Sequence, residues 1–229
     1  MPEHSGYGQF CPVSMAAEVF CSRWTPLILR ELMAGTTRFN DLRRGVPRMS
    51  PALLSKRLKE LEKAGIVAVE RRGGTVDYTL TPAGMDLREV VMTLGIWGQR
   101  WVESQLSLRN LDPTLLMWDM RRNLIVKPLP PRKCTIQFQY PELPGAKKNF
   151  WLVVDNAVVD LCYFDPGFEI DLLVRSPLRT MTAVWMGLAK LRSEIDAGTI
   201  ELDGDPAIAG AMQNWLGLSP FANETRRVA

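Results

Sequence analysis

Histidine is almost absent. The chain of 229 residues holds one, His4, in a polar stretch read as a mobile tail. That excludes a Ser/His/Asp set, His-dependent acid–base catalysis and His-based metal sites. Cysteine is scarce too. Cys11, Cys21, Cys134 and Cys162 stand apart, with no CxxC or other metal spacing, so free thiols in a reducing cytoplasm are expected. No apolar run approaches the ~20 residues needed to span a bilayer, and Met1 to Gln9 carry no apolar signal region. The expectation is a cytoplasmic protein without a membrane partner. A glycine-rich phosphate loop is missing, because Gly73-Gly74 reads as a hairpin tip and not as a strand–loop–helix. Asp155, Asp160 and Asp165 show no calcium-loop pattern. With no catalytic set, no metal ligands and no cofactor motif, the chain is not expected to be an enzyme.

What is present is basic charge gathered on one motif. Net charge over the whole chain is only +3. Between residues 38 and 72, ten Lys/Arg stand against four Asp/Glu, a local +6. Such a cluster is the electrostatic footprint of phosphate neutralisation. The same stretch reads as short helix, turn, longer helix and hairpin. Ser50 is a good N-cap, and Pro51 follows at a first helical position where its missing N–H costs nothing. Leu54, Leu58 and Leu61 recur at helical spacing, and Gly65 closes the helix as a left-handed residue. Ser55, Lys56, Arg57, Lys59 and Lys63 occupy the other face and its flanks. Two β-like runs, Ile66 to Glu70 and Val76 to Leu80, follow across Arg71-Arg72-Gly73-Gly74-Thr75. This is the pattern of a winged helix-turn-helix.

The segments before and after extend it. Cys11-Pro12-Val13 opens a first helix with Val13, Ala17 and Phe20 on one stripe. Thr25 is expected to cap a second helix led by Pro26, which Ala34-Gly35 ends. Phe39 to Leu42 begin the helix before the turn at Gly45-Val46-Pro47. Thr81 then caps a long helix with Leu87, Val90, Val91, Leu94, Trp97 and Trp101 on one face. That stripe is longer than a small winged domain can cover, and we expect it to pair with a second copy, together with the first helix; the alternative is that it packs against the chain's own second domain.

These stretches, taken in order with Trp24 to Leu32, Arg38 to Leu42, Leu54 to Glu62, Ala64 to Val67 and Tyr78 to Gly84, resemble the HxlR-type family of bacterial transcriptional regulators over about residues 9–105. The resemblance implies a dimeric winged-helix DNA binder that reads DNA with the Ser50–Ala64 helix. Two departures stand out. Ser22-Arg23 precedes Trp24 where the family often has Gly-Lys, and the wing looks shorter than usual. Some relatives use a cysteine in the Cys-Pro segment to sense oxidants or electrophiles. Cys11 at a helix N-terminus is the corresponding candidate here, against its plain role as a small apolar residue at a seam.

Turn chemistry from Ser107 to Pro113 places a domain boundary near 110. The expected domains are 1–110, for DNA binding and dimerisation, and 111–229. Residues 1–110 carry net +4 and the remainder −1, so the second half is not the DNA surface. It reads as a helix from about Thr114 to Arg122, then strands at Cys134–Tyr140, Phe150–Val154, Val158–Phe164 and Phe168–Val174 in an antiparallel meander. A helix capped by Ser176 up to about Met186, a helix over Leu188–Ile195, a strand at Thr199–Leu202 and a last helix from Asp205 to about Leu216 complete it. The tail after Pro220 is expected to fray. The overall class is α+β: a mostly helical winged domain followed by an α+β domain with a mainly antiparallel sheet. The second domain resembles the sterol-carrier-protein-like fold in its element order and in Leu202-Asp203-Gly204-Asp205. That resemblance implies an apolar pocket, for which Phe138, Trp151, Val153, Phe164, Trp185 and Met186 are the candidates.

The function expected is a homodimeric, sequence-specific regulator on a pseudopalindromic operator in double-stranded DNA, modulated by a small apolar ligand in the second domain. Ser50, Ser55, Lys56 and Lys59 are candidates for groove contacts, and Arg38, Arg43, Arg57, Arg71 and Arg72 for phosphates. The alternatives are a lipid or small-molecule carrier and a redox switch acting through Cys11.

Overall fold

Proline starts four of the helices of the N-terminal region. Pro12, Pro26, Pro51 and Pro82 each stand within the first two positions of a helix, where no intrahelical donor is lost. The computed structural model describes residues 6–103, 108–109 and 111–228. His4 and the expected boundary residue, Asn110, lie outside the described residues.

The chain divides into two compact units, Met1–Leu94 and Gly95–Ala229. The first holds α1 (Pro12–Phe20), α2 (Thr25–Met33), α3 (Phe39–Gly45), α4 (Pro51–Lys63), β1 (Val67–Arg72), β2 (Thr75–Leu80) and α5 (Pro82–Asp86). The division falls inside α6 (Arg88–Trp101), whereas the turn chemistry had pointed near 110. The core of the first unit is Ile28, Leu29 and Leu32 of α2, Leu42 of α3, Leu54, Leu58 and Leu61 of α4, with Val67 and Val91. β1 and β2 pair antiparallel from Val67↔Leu80 to Arg72↔Thr75. Gly73 (φ 54°) and Gly74 (φ 80°) make the two-residue turn, which needs two positive φ angles. The strands therefore run closer to the tip than the sequence suggested.

Three local expectations change. Thr25 does not cap α2. The N-cap is Trp24 in the left-handed region (φ 79°), and Thr25 is buried as the first helical residue. The helix after Thr81 is interrupted at Leu87, so α5 and α6 are separate segments. The apolar stripe of α6 also splits in two. Leu87 and Val91 join the core, while Val90, Leu94, Trp97 and Trp101 stay exposed. At α1, Val13 is 76% exposed and does not face a core, although Phe20 packs against one.

The second unit holds the distal half of α6, then α7 (Pro113–Asn123), β3 (Cys134–Gln139), β4 (Asn149–Asp155), β5 (Val158–Cys162) and β6 (Leu172–Arg175). α8 (Leu178–Trp185), α9 (Leu191–Asp196), β7 (Glu201–Gly204), α10 (Pro206–Gly210) and α11 (Met212–Trp215) follow. The five strands order β5-β4-β3-β6-β7. β3 and β6 are parallel and the other neighbours antiparallel, so the expected simple meander stops after β5. The cause is residues 163–171, which return the chain to the far edge of β3 and leave only Leu172–Arg175 as strand. One face of the sheet carries Cys134, Ile136, Phe138, Phe150, Leu152, Val154, Leu172 and Val174 into a core shared with Met117, Met120, Met181, Trp185, Met212 and Trp215. Ser176 does not cap α8. The amide of Leu178 is instead bound by Glu142 Oε1 at 2.6 Å, and the Ser176 hydroxyl has no hydrogen-bond partner among the described residues. The expected last helix is two short ones, α10 and α11. Nor does the tail fray: residues 219–228 pack onto α6, as described below.

Candidate nucleic-acid interface

α4 is built to show one face outward. The Ser50 hydroxyl accepts the Leu53 amide at 3.3 Å, which fixes where the helix begins. At its other end Gly65 adopts φ 71°, and the Ile66 amide reaches back to the Leu61 carbonyl at 2.9 Å. Burying Leu54, Leu58 and Leu61 aims Ala52, Ser55, Lys56, Lys59, Glu60 and Lys63 the other way, where they line a shallow surface depression.

The turn before α4 is held by a buried acid. Glu31 of α2 is fully buried, its carboxylate 2.8 Å from Arg30 Nη2, which also donates to the Gly45 carbonyl at 3.1 Å. A Cβ at Gly45 would run into the Glu31 carboxylate, so glycine is what lets the end of α3 approach α2. The wing is tied in as well. Tyr78 N–H donates to the Thr37 carbonyl at 2.9 Å, Thr37 Oγ1 to Asp77 at 3.0 Å, and Arg38 Nε lies 3.0 Å from the same carboxylate. Thr81 Oγ1 donates to the Gly65 carbonyl at 2.6 Å and accepts the Gly84 amide at 3.1 Å, joining the end of α4 to α5.

The nine candidates sort by what they are free to do. Ser55, Lys56 and Lys59 share the outward face. Ser50 lies at the start of that helix with its hydroxyl spent on the cap. Arg57 sits at the flank, its side chain only 23% exposed and paired with Glu60. Lys56 is 3.9 Å from the same Glu60, so that acid partly neutralises two of the expected contacts. Arg38 is engaged by Asp77, and Arg72 by Glu70 at 3.1 Å. Arg43 and Arg71 are exposed at α3 and at the wing tip, with no ion-pair partner among the described residues. Lys63 joins Lys56 and Lys59, because its spacing from them (i+7 and i+4) puts it on the same face.

The six pocket candidates do not converge. Phe138 and Trp185 lie in the helix-covered core and Met186 packs against it. Trp151 and Val153 alternate onto the opposite face of β4, opposite Gln137 and Thr135. Phe164 is 77% exposed. The period of two along a strand separates residues that a list of aromatics puts together. The opposite face carries a polar row instead: Gln137 and Gln139 both donate to Asn149 Oδ1, and Arg175 bridges Gln139 and Glu201 at 2.8 Å each.

Cys11 is the exposed N-cap residue of α1, and Cys21, also exposed, is its C-cap. Cys134 is buried, and burial, with Asp171 nearby, pushes its thiol up to about 11. Among the described residues no helix is long and apolar enough to cross a membrane, and no group of acids, histidines and cysteines could hold a metal ion.

An amino-terminal unit with a capped, outward-facing basic helix behind a turn, followed by a two-stranded wing, defines the class of winged helix-turn-helix proteins. Residues 19–106 match the model of the HxlR-like helix-turn-helix family. The chain belongs to that family of transcriptional regulators. It is 30% identical over 99 residues to the uncharacterized HTH-type transcriptional regulator YvaP of Bacillus subtilis (strain 168), a match covering 42% of this chain and 92% of that one. It is 35% identical over 97 residues to the HTH-type transcriptional regulator YodB of the same organism, covering 41% of this chain and 87% of that one. Among solved structures, the redox regulator HypR in its oxidized form is similar over 39% of this chain and 95% of its own, at 33% identity and a TM-score of 0.38.

Proposed function

We propose that the protein is a homodimeric, sequence-specific regulator that reads a pseudopalindromic operator with α4. The observation that supports this best is the outward face of α4: Ser55, Lys56, Lys59 and Lys63 together, at the width of a helix that fits a major groove. Arg43 and the wing-tip Arg71 and Arg72 flank it as phosphate contacts, which set register and carry no sequence information. The exposed residues Val90, Leu94, Trp97 and Trp101 of α6, with Val13 and Met15 of α1, supply apolar surface of the kind that a second copy covers. Two-fold pairing then gives half-sites about 10 bp apart.

For the second unit we propose a sensing role, with a small apolar molecule as ligand. The sterol-carrier-like element order read from the sequence supports this; the apolar sheet face is packed by Met117, Met120, Met181, Trp185, Met212 and Trp215, so a ligand has to displace part of that core. Such a ligand acts only through unequal affinity for two states of the protein. A second reading, a thiol switch, is favoured by one observation: exposed cysteines at both ends of α1. Unchanged operator binding by Cys11→Ser protein after peroxide treatment, where the wild type loses it, assigns the switch to Cys11. An identical response in both disposes of it.

The deciding experiment is a fluorescence-anisotropy titration against the gene's upstream DNA at several salt concentrations. Lys59→Ala is expected to cost about 1–3 kcal/mol on the operator and little on scrambled DNA, whereas Arg71→Ala lowers the salt slope by about one unit on both. Equal losses for Lys59→Ala on every sequence would demote that residue to a backbone contact.

A further inference from the structure

Residues 219–228 lie along the distal half of α6, more than a hundred positions away in sequence. An α-helix leaves its last four carbonyls without internal donors. Here the tail supplies a donor to one of them, Arg100, and another to Val102 just past the end. The Arg227 amide donates to the Arg100 carbonyl at 2.8 Å, and the Arg226 guanidinium donates to the Val102 carbonyl. Cations at a helix C-terminus also suit its dipole. Arg100 binds Glu224 Oε2 through Nε at 2.9 Å and Nη2 at 2.6 Å, and the Arg227 guanidinium stacks 5.5 Å from the Trp101 ring. The Phe221 ring fills the space that a Cβ on Gly95 would take.

The same tail is anchored to the end of α8. Ser219 N–H donates to the Trp185 carbonyl at 2.9 Å, and the Ala222 backbone sits against Gly187 so closely that a Cβ there would collide. Gln99 of α6 completes the knot by donating to the Met186 carbonyl at 2.8 Å. Trp185 is part of the buried core. α6 needs such help. Gly95 and Gly98 lie in its interior, and glycine there weakens a helix.

We propose that residues 219–228 are a latch that completes α6, so that its apolar stripe is whole only while the second unit holds the latch closed. The inference rests on the dimer reading, because Trp97 and Trp101 are the distal half of the stripe proposed for a second copy. Dimerisation, and with it operator binding, thereby becomes contingent on the state of the second unit around α8.

The test uses the full chain with Phe221→Ala, with Glu224→Arg, and with the swap Arg100→Glu plus Glu224→Arg. Amide hydrogen exchange and sedimentation equilibrium are measured on each. Exchange at residues 97–102 is expected to rise tenfold or more in the two single variants while β3 and β4 keep their protection. The dimer dissociation constant is expected to rise fivefold or more, and the swap to restore both. Unchanged exchange at 97–102 overturns the latch, and so does faster exchange with a dimer constant within twofold of wild type. A wild-type chain that stays monomeric at micromolar concentration fails the dimer reading instead, while the exchange arm still decides whether the tail holds α6.

Discussion

The two units are built by different kinds of contact. In the first, the features that matter are short-range: Ser50 to Leu53, Gly65 closing α4, and three leucines within eight residues. In the second, the decisive pairings are long-range. β3 meets β6 in parallel after 36 residues, and Arg100 meets Glu224 after 124. Local chemistry thus dictates a reading helix, while the sheet unit depends on how distant segments return. Two units with separate cores should also unfold separately. Leu58→Ala in the first and Trp215→Ala in the second each remove a fully buried side chain, at about 3–5 kcal/mol. Trp215 loses in addition its indole bond to the Ile208 carbonyl at 2.8 Å. Calorimetry should show two transitions, with each variant lowering one. A single transition lowered by both would erase the distinction.

Legibility followed the same line. The winged motif, the α4 cap, Gly65 and the basic cluster were readable because each is a residue choice forced by its immediate neighbours. The Trp24 cap was not, since Thr25-Pro26 looks like a cap and only the buried Thr25 shows otherwise. The partial neutralisation of Lys56 and Arg57 by Glu60 was written in i+4 and i+3 spacing but was masked by counting net charge. In the sheet unit, strand positions were largely found and their order was not, because hydrophobic alternation says nothing about which strand is the neighbour. The grouping of Trp151 and Val153 with Phe138 failed for a local reason, the strict alternation along β4. The tail from Ser219 was misjudged because its partners on α6 are invisible to any window of sequence.

Gly45→Ala probes the close approach of α3 to α2, one of the contacts of the first unit that local sequence does not dictate. The new methyl must displace the buried Glu31 carboxylate or push α3 away from α2. The expected cost is about 3 kcal/mol in urea unfolding, at the upper end for overpacking. Operator affinity should fall further than stability alone accounts for, since the helix-turn-helix angle is set there. A neutral Gly45→Ala would show that the α2–α3 approach does not limit the first unit.

Alkali should separate the units by charge. The Cys134 thiol is pushed from 9.0 to about 11, chiefly by burial, so the folded second unit holds a proton that the unfolded chain releases first. Stability is complete below pH 9 and is lost as pH rises toward 11, by on the order of 1–2 kcal/mol. Urea unfolding at pH 7.5 and pH 10.5 measures it. Cys134→Ala should shrink the difference for the second transition, leaving the share of the buried Tyr140 phenol, which burial also raises, and leave the first unchanged. An equal slope in Cys134→Ala protein would place the alkaline loss elsewhere.

The smallest effect is the sharpest, because two glycines three residues apart in one helix should respond with opposite sign. Alanine is the better helix former by about 0.5–1 kcal/mol at any interior position with free space. Gly98 has nothing within 4 Å of its would-be Cβ, so Gly98→Ala should raise the unfolding midpoint of the second transition. At Gly95 the Phe221 ring occupies that space, so the same change should lower it. Adding Phe221→Ala should convert Gly95→Ala into a stabilising change, because the ring is then no longer there to clash. If the two glycines respond alike, α6 behaves as a helix held by its own turns, and the long-range character assigned to the second unit stops short of it.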